Sequence, residues 1–204
     1  MDAEDAGALL ESLRAEGFAV SDGFLTASLL HALTRCAEMR RERGDFAAAR
    51  IGADRKLERR EEIRGDFTCW LTRPLFEPEE QVLDVLELLR LELNRAAMLG
   101  LFDLELHYAW YPPGAGYARH FDRPENRAAR IISLVLYLNE DWGPLDGGAL
   151  RCFDGVQAFR DIEPIGGRLV TFVTEGREHA VLPARRPRLS LTGWFRGREE
   201  LPLR

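Results

Sequence analysis

The run LELHYAWYPPGAGYARHFD, Leu104 to Asp122, decides how this chain is read. Leu104–Tyr111 is dense in aliphatic and aromatic side chains, Pro112-Pro113-Gly114 is a turn signal, and Tyr117–Phe121 is a second short run of the same texture. That texture continues toward the C-terminus. Ile131–Leu138, Ala149–Phe153, Ala158–Ile162, Arg168–Val173, Ala180–Pro183 and Leu189–Phe195 each read as a strand, with turns such as Gly147-Gly148 and Gly166-Gly167 between them. About eight short strands at this spacing predict a double-sheet jelly roll, that is, a double-stranded β-helix.

Upstream of Gly100 the period changes from two to 3.6. Ala6, Leu9, Leu10 and Leu13 share one helical face before Gly17 stops the run, and Phe18-Ala19-Val20 reads as a short strand. Thr26 is placed to cap a helix running to about Arg43 through Leu29, Leu30, Leu33, Cys36 and Met39. Residues 45–66 are charged and aperiodic, and read as a loop or mobile hairpin. Pro78 starts a third helix, which Glu79 and Glu80 suit electrostatically and which runs to about Met98. The expected fold class is therefore α+β. Residues 1–204 form one domain, with helical support and a lid loop over 1–99 and the jelly-roll core over 100–196. The helices are expected to cover one sheet.

Bulk properties narrow the function. A chain of 204 residues with 46% hydrophobic content can bury a substantial core. A formal net charge of −6 gives no global footprint for nucleic acid, although basic residues cluster in Arg55–Arg64 and Arg177–Arg188. The cysteines Cys36, Cys69 and Cys152 are odd in number, scattered and without a CxxC pair. They read as reduced packing residues and argue against a disulfide framework or a structural zinc site. The acidic start Met1-Asp2-Ala3-Glu4-Asp5 is unlike a signal peptide, and no apolar run approaches a membrane span, so the expectation is a soluble cytoplasmic protein.

There are four histidines, His31, His107, His120 and His179. His120-Phe121-Asp122 places two ligands at i and i+2, which on a strand share a face. With His179, two imidazoles and a carboxylate would leave three positions open on an octahedral Fe(II). An HxD alone is a weak signal. The run after it adds weight: Arg188, Ser190, Thr192 and Trp194 share one strand face. A guanidinium with Thr192 and Tyr137 near it suits the far carboxylate of a dicarboxylate whose keto-acid end chelates the metal. His107 and His31 read as packing or surface residues, and Asp103 and Glu105 as surface carboxylates. Phe121, Phe153, Phe172 and Phe195 read as core.

Taken together, Ile63-Arg64-Gly65-Asp66, Tyr111-Pro112, Gly116 to Asp122, Tyr137 to Trp142, Gly147 to Arg151, Asp161 to Pro164 and His179 to Trp194 resemble, in order and spacing, the 2-oxoglutarate oxygenases of the prolyl 4-hydroxylase family. The similarity is greatest to the oxygen-sensing, HIF-type prolyl hydroxylases and their bacterial relatives. The resemblance covers roughly residues 60–196. It implies Fe(II) on His120, Asp122 and His179, and 2-oxoglutarate held by Arg188 with Tyr137, Thr192 and Tyr111. It implies substrate contacts from Trp194, Arg130, Arg64 and Asp66, the last two ending a loop that closes over the substrate. O2 is the second co-substrate, and ascorbate is an accessory the family often uses. The implied reaction converts a prolyl residue of a protein to hydroxyproline, with succinate and CO2 as co-products; by analogy, a translation factor such as elongation factor Tu is a conceivable client. The loops between Tyr111 and His120 and between Asp122 and Tyr137 differ in length from the relatives, and the chain stops at Arg204 without the long C-terminal helix of the animal oxygen sensors. Two other readings stay open at this point: the same chemistry on a free amino acid, another side chain or a small molecule, and a catalytically silent jelly-roll binding module. The acidic charge balance disfavours nucleobase dealkylation.

Overall fold

The computed structural model describes residues 3–50, 60, 62–122, 130–155 and 158–198, with side chains from residue 7 onward. Much of the segment expected as a mobile hairpin, 51–59 and 61, lies outside the described residues.

The elements follow in the order α1 (Ala3–Glu16), β1 (Phe18–Ser21), α2 (Ala27–Glu42), β2 (Ala47–Ala48), β3 (Phe67–Trp70), α3 (Glu77–Ala97), β4 (Asp103–Tyr111), β5 (Tyr117–His120), β6 (Arg130–Tyr137), β7 (Leu150–Asp154), β8 (Ala158–Ile162), β9 (Leu169–Val173), β10 (His179–Val181) and β11 (Arg188–Arg196). Two antiparallel sheets result. The larger has the order β1-β9-β6-β11-β4-β3-β2, and the smaller β5-β10-β7-β8. Every expected strand is present within a residue or two. The larger sheet also recruits β2 and β3, which periodicity did not reveal: Phe67-Thr68-Cys69-Trp70 is short and acquires its conformation by pairing with β4.

Each helix forms for a local reason and is fixed by what it buries. Thr26 caps α2 by accepting from the Leu29 amide. In α3 the capping carboxylate is Glu79, which accepts from the Phe76 amide at 2.9 Å. Leu9, Leu10 and Leu13 of α1, Leu33 and Cys36 of α2, and Val82, Leu86, Leu89 and Leu93 of α3 then meet Leu106, Tyr108, Leu134, Leu136 and Leu191 from one face of the larger sheet. At ~1.5–3 kcal/mol for each fully buried aliphatic side chain, this contact holds the helices in place. One cross-link in it is polar: Arg40 of α2 donates to both carboxylate oxygens of Glu79 at 2.6 Å.

The opposite face of the larger sheet looks toward the smaller one. Ala109, Tyr111, Val135, Tyr137, Val170 and Phe172 meet Leu150, Cys152, Ile162 and Val181 there. This inter-sheet layer contains the site. The three cysteines are free and buried, as expected. No helix among the described residues is long and apolar enough to cross a membrane.

Candidate active site

β5 and β10 pair antiparallel with His179 directly opposite His120, so two residues distant in sequence share one sheet face with ring centroids 4.2 Å apart. β5 ends at His120, and Asp122 lies beyond the strand rather than on its pleat. It still converges: Nε2 of His120 and Nε2 of His179 each lie 3.5 Å from Asp122 Oδ1. One ligand atom from each of the three residues falls within 4.8 Å of the others.

The surroundings set the protonation of this group. His120 Nδ1 is 2.7 Å from the Ala118 carbonyl and His179 Nδ1 is 3.4 Å from that of Arg177. A carbonyl only accepts, so these contacts place the proton on Nδ1 and leave the Nε2 lone pairs facing the centre. Burial lowers the His120 pKa, keeping the ring neutral. For Asp122, burial works toward a higher pKa, but His179 and His120 outweigh it and hold the carboxyl well below the usual range. Asp122 Oδ2 accepts from Ser133 Oγ at 2.8 Å, and Ser133 lies 3.2 Å from Thr174 Oγ1. The donor set is thus two imidazole Nε2 atoms and an ionised carboxylate, which fits a divalent ion of intermediate hardness.

The larger sheet supplies the second part. β4 and β11 pair over their whole length, Arg188 opposite Tyr111 through Arg196 opposite Asp103, while β6 sets Tyr137 opposite Ser190 and Ser133 opposite Trp194. Arg188 is buried, with its guanidinium 5.2 Å from the Tyr111 ring centre and 5.0 Å from that of Tyr137. Its Nε donates to the Gly148 carbonyl at 3.0 Å. Its Nη2 and the Tyr137 hydroxyl are buried with no hydrogen-bond partner among the described residues. Burial pushes the Tyr137 hydroxyl up to about 12, so it is a neutral donor. A buried cation and a phenol aimed at no carboxylate suit a carboxylate ligand. Gly148, at φ +72°, makes the approach possible: a Cβ there would lie 3.3 Å from Arg188 Cδ and 2.9 Å from the Ala184 methyl. Thr192 shares the face, but its hydroxyl is 3.1 Å from that of Ser190.

Arg64 and Asp66, expected to contact the substrate, form a bidentate pair at 2.7 and 3.1 Å, with Asp66 buried. Arg64 bridges to Tyr117, Gly65 donates to the Gly116 carbonyl at 3.0 Å, and the Arg64 guanidinium lies 4.7 Å from the Tyr117 ring centre. Arg130 sits 3.4 Å over the Trp194 ring and pairs with Glu105 at 2.7 Å.

Of the other residues weighed in the sequence, His107, Phe172 and Phe195 pack as expected, and Glu105, Phe121 and Phe153 differ. His107 is buried on the inner face beside Trp194. Glu105 is engaged with Arg130 and Arg196. Phe172 and Phe195 are core, but Phe121 is 50% exposed between the two ligands, and Phe153 lies outside the core beneath Arg119. Ser133 was missed, although a hydroxyl inside the apolar run Ile131–Leu136 was a legible signal.

Comparison with known proteins agrees with this geometry. The family model of the 2OG-Fe(II) oxygenase superfamily matches residues 106–196, the segment carrying all three ligands and Arg188. A prolyl-4-hydroxylase of Pseudomonas putida is 42% identical over 95% of this chain and 100% of its own, with a TM-score of 0.86. The chain belongs to the prolyl 4-hydroxylase family of 2-oxoglutarate oxygenases. A prolyl hydroxylase of Trichoplax adhaerens, solved with a peptide fragment of the hypoxia inducible factor oxygen degradation domain, is 25% identical over 95% of this chain and 90% of its own, with a TM-score of 0.85. The family member described here is thus an Fe(II)- and 2-oxoglutarate-dependent dioxygenase with the jelly-roll fold expected of that group.

Proposed function

We propose that this dioxygenase hydroxylates a prolyl residue in a protein, with His120, Asp122 and His179 holding the iron and Arg188 and Tyr137 receiving the distal carboxylate of 2-oxoglutarate. The observation that carries the co-substrate assignment is the pair of buried, unpartnered atoms Arg188 Nη2 and Tyr137 OH behind the convergent His–Asp–His set. The prolyl assignment rests on end-to-end similarity to a prolyl-4-hydroxylase. When bound, iron with 2-oxoglutarate and O2 supplies the oxidising power that splits the keto acid to succinate and CO2 and places one oxygen atom on a C–H bond. The chain's own residues do the rest. Ser133 holds the Asp122 carboxylate in place. Tyr111, opposite Arg188, and Thr192 wall the co-substrate, and the apolar inter-sheet layer keeps water out. Arg130, Trp194, Arg64 and Asp66 border the opening through which the proline would enter.

The test is incubation of the iron-loaded protein with 2-oxoglutarate and proline-containing proteins, followed by mass spectrometry. Hydroxyproline formed in step with succinate is expected. Succinate formation stimulated only by free amino acids or small molecules would overturn the prolyl assignment and leave the oxygenase. By family analogy alone a translation factor is a conceivable client, so purified elongation factor Tu is one protein to include, with one added oxygen on a single proline as the positive result.

A further inference from the structure

Beyond the Arg188–Tyr137 pair, toward the opening, three rings line up on the inner face of the larger sheet. Trp70 on β3 pairs with His107 on β4, and Trp194 on β11 stands one row on. The Trp70 and His107 ring centres are 4.6 Å apart, and His107 and Trp194 are nearly parallel at 5.6 Å and 21°. Burial grades outward, from His107 and Trp194, at 1% and 6% exposed, to Trp70 at 44%. His107 Nδ1 and Trp194 Nε1 are both buried and have no hydrogen-bond partner among the described residues.

An unmade buried hydrogen bond costs ~1–3 kcal/mol, so two on adjacent rings beside a catalytic centre call for a reason. The location supplies one. Trp194 is opposite Ser133, whose hydroxyl holds the Asp122 carboxylate. Burial drives the His107 pKa down to about 3, helped by Arg64 and Arg130, with Asp122 opposing. His107 is therefore a neutral ring in the field of the metal ligand and of both mouth arginines.

The chemistry of the two atoms selects a partner. An indole Nε1–H can only donate, and a neutral imidazole carrying its proton on Nδ1 also donates there. Trp194 Nε1 thus calls for an acceptor, and His107 Nδ1 joins it in the tautomer that carries its proton there. Arg64 and Arg130 oppose a cationic group, and since they already pair with Asp66 and Glu105 they leave a neutral acceptor as the better fit. The amide preceding a proline has no N–H and offers only its carbonyl. We infer that His107 Nδ1 and Trp194 Nε1 form a notch that receives a main-chain carbonyl of the prolyl substrate, with Trp70 as its outer wall, which makes His107 a specificity-determining residue. This rests on the prolyl assignment above.

The test uses protein loaded with zinc(II) in place of iron, together with 2-oxoglutarate, and the blocked peptide acetyl-glycyl-prolyl-glycinamide as probe. Peptide binding is expected to move the Trp194 indole proton downfield in the NMR spectrum. His107→Met is expected to weaken peptide binding about tenfold, the worth of one such hydrogen bond. His107→Asn, whose amide nitrogen takes the place of Nδ1, is expected to recover most of the loss. With iron present the same variants shift KM for the peptide more than kcat. Thermal midpoint and 2-oxoglutarate affinity report on folding, and Trp194→Phe, which keeps the stack and removes the N–H, carries the test if His107→Met does not fold. Peptide binding that leaves the Trp194 signal unmoved, or that is as tight in His107→Met as in the parent, overturns the notch alone. Parent protein that binds 2-oxoglutarate but no prolyl peptide overturns the prolyl assignment, and the notch with it.

Discussion

Ser133 touches no substrate, yet it accounts for how Asp122 keeps its direction from beyond the end of β5. Its hydroxyl donates at 2.8 Å to the carboxylate oxygen that faces away from the histidines. Partners of this kind are worth ~10–100-fold in metal affinity. Ser133→Ala should therefore weaken Co(II) binding by that order in an absorption titration, with the fold intact. Arg188 is the other decisive residue. A buried guanidinium without a carboxylate partner among the described residues destabilises the empty protein and rewards a bound dicarboxylate. Arg188→Met should raise the 2-oxoglutarate concentration needed for half-saturation by ~10²-fold or more, since a charged, buried hydrogen-bond pair is worth several kcal/mol. In the same variant, thermal stability without co-substrate should hold or rise. A fall of several degrees would show that Arg188 is structural.

At the scale of elements, the support layer holds a buried ion pair inside an apolar interface. Glu79 caps α3 through the Phe76 amide and also receives both donors of Arg40 from α2. Its carboxylate is fully buried while the Arg40 side chain is 10% exposed. Removing one partner leaves an uncompensated buried charge, at ~3–5 kcal/mol. Glu79→Ala should cost that much in denaturant unfolding, whereas Arg40→Met with Glu79→Met, which removes both charges, should recover most of it. Equal losses in the single and double variants would show that packing, not the unpaired charge, sets the cost. The elements were largely legible because their signals are local: Thr26 and Glu79 mark helix starts, and the leucines of α3 keep a period of 3.6. β3 was not legible. Four residues behind a charged stretch carry no period of their own, and Trp70 takes its place from His107 across the ladder.

For the whole molecule, the buried histidines make stability depend on pH in a definite direction. Burial pushes the His107 pKa down to about 3 when folded, against an ordinary 6.5 when unfolded, so the unfolded chain binds the extra proton between those limits. Its contribution is complete above pH 6.5 and is lost as pH falls toward 3; by pH 5 the loss is ~2 kcal/mol. His120, also lowered by burial, adds in the same sense below its ordinary value, while Asp122 stays ionised over that interval. The metal-free protein should lose thermal stability between pH 7 and pH 5, and His107→Met should lose less. Identical slopes would remove His107 from this account.

The sequence by itself determined the helices and all strands but β2 and β3, the pattern from His120-Phe121-Asp122 through His179 to Arg188, and with it the family, because helix caps, strand texture and ordered motifs are local properties of the chain. Only the tertiary structure decided which residues meet. The β5–β10 register sets His179 opposite His120, a turn beyond β5 brings Asp122 to both, and Ser133 and Gly148 position the groups that matter. His107 shows the limit most plainly. Its neighbours in sequence make it an ordinary strand residue, and only the pairing of β3, β4 and β11, fixed by burial on both faces of the sheet, stacks its ring beside the Trp194 ring, each with a nitrogen that has no partner among the described residues.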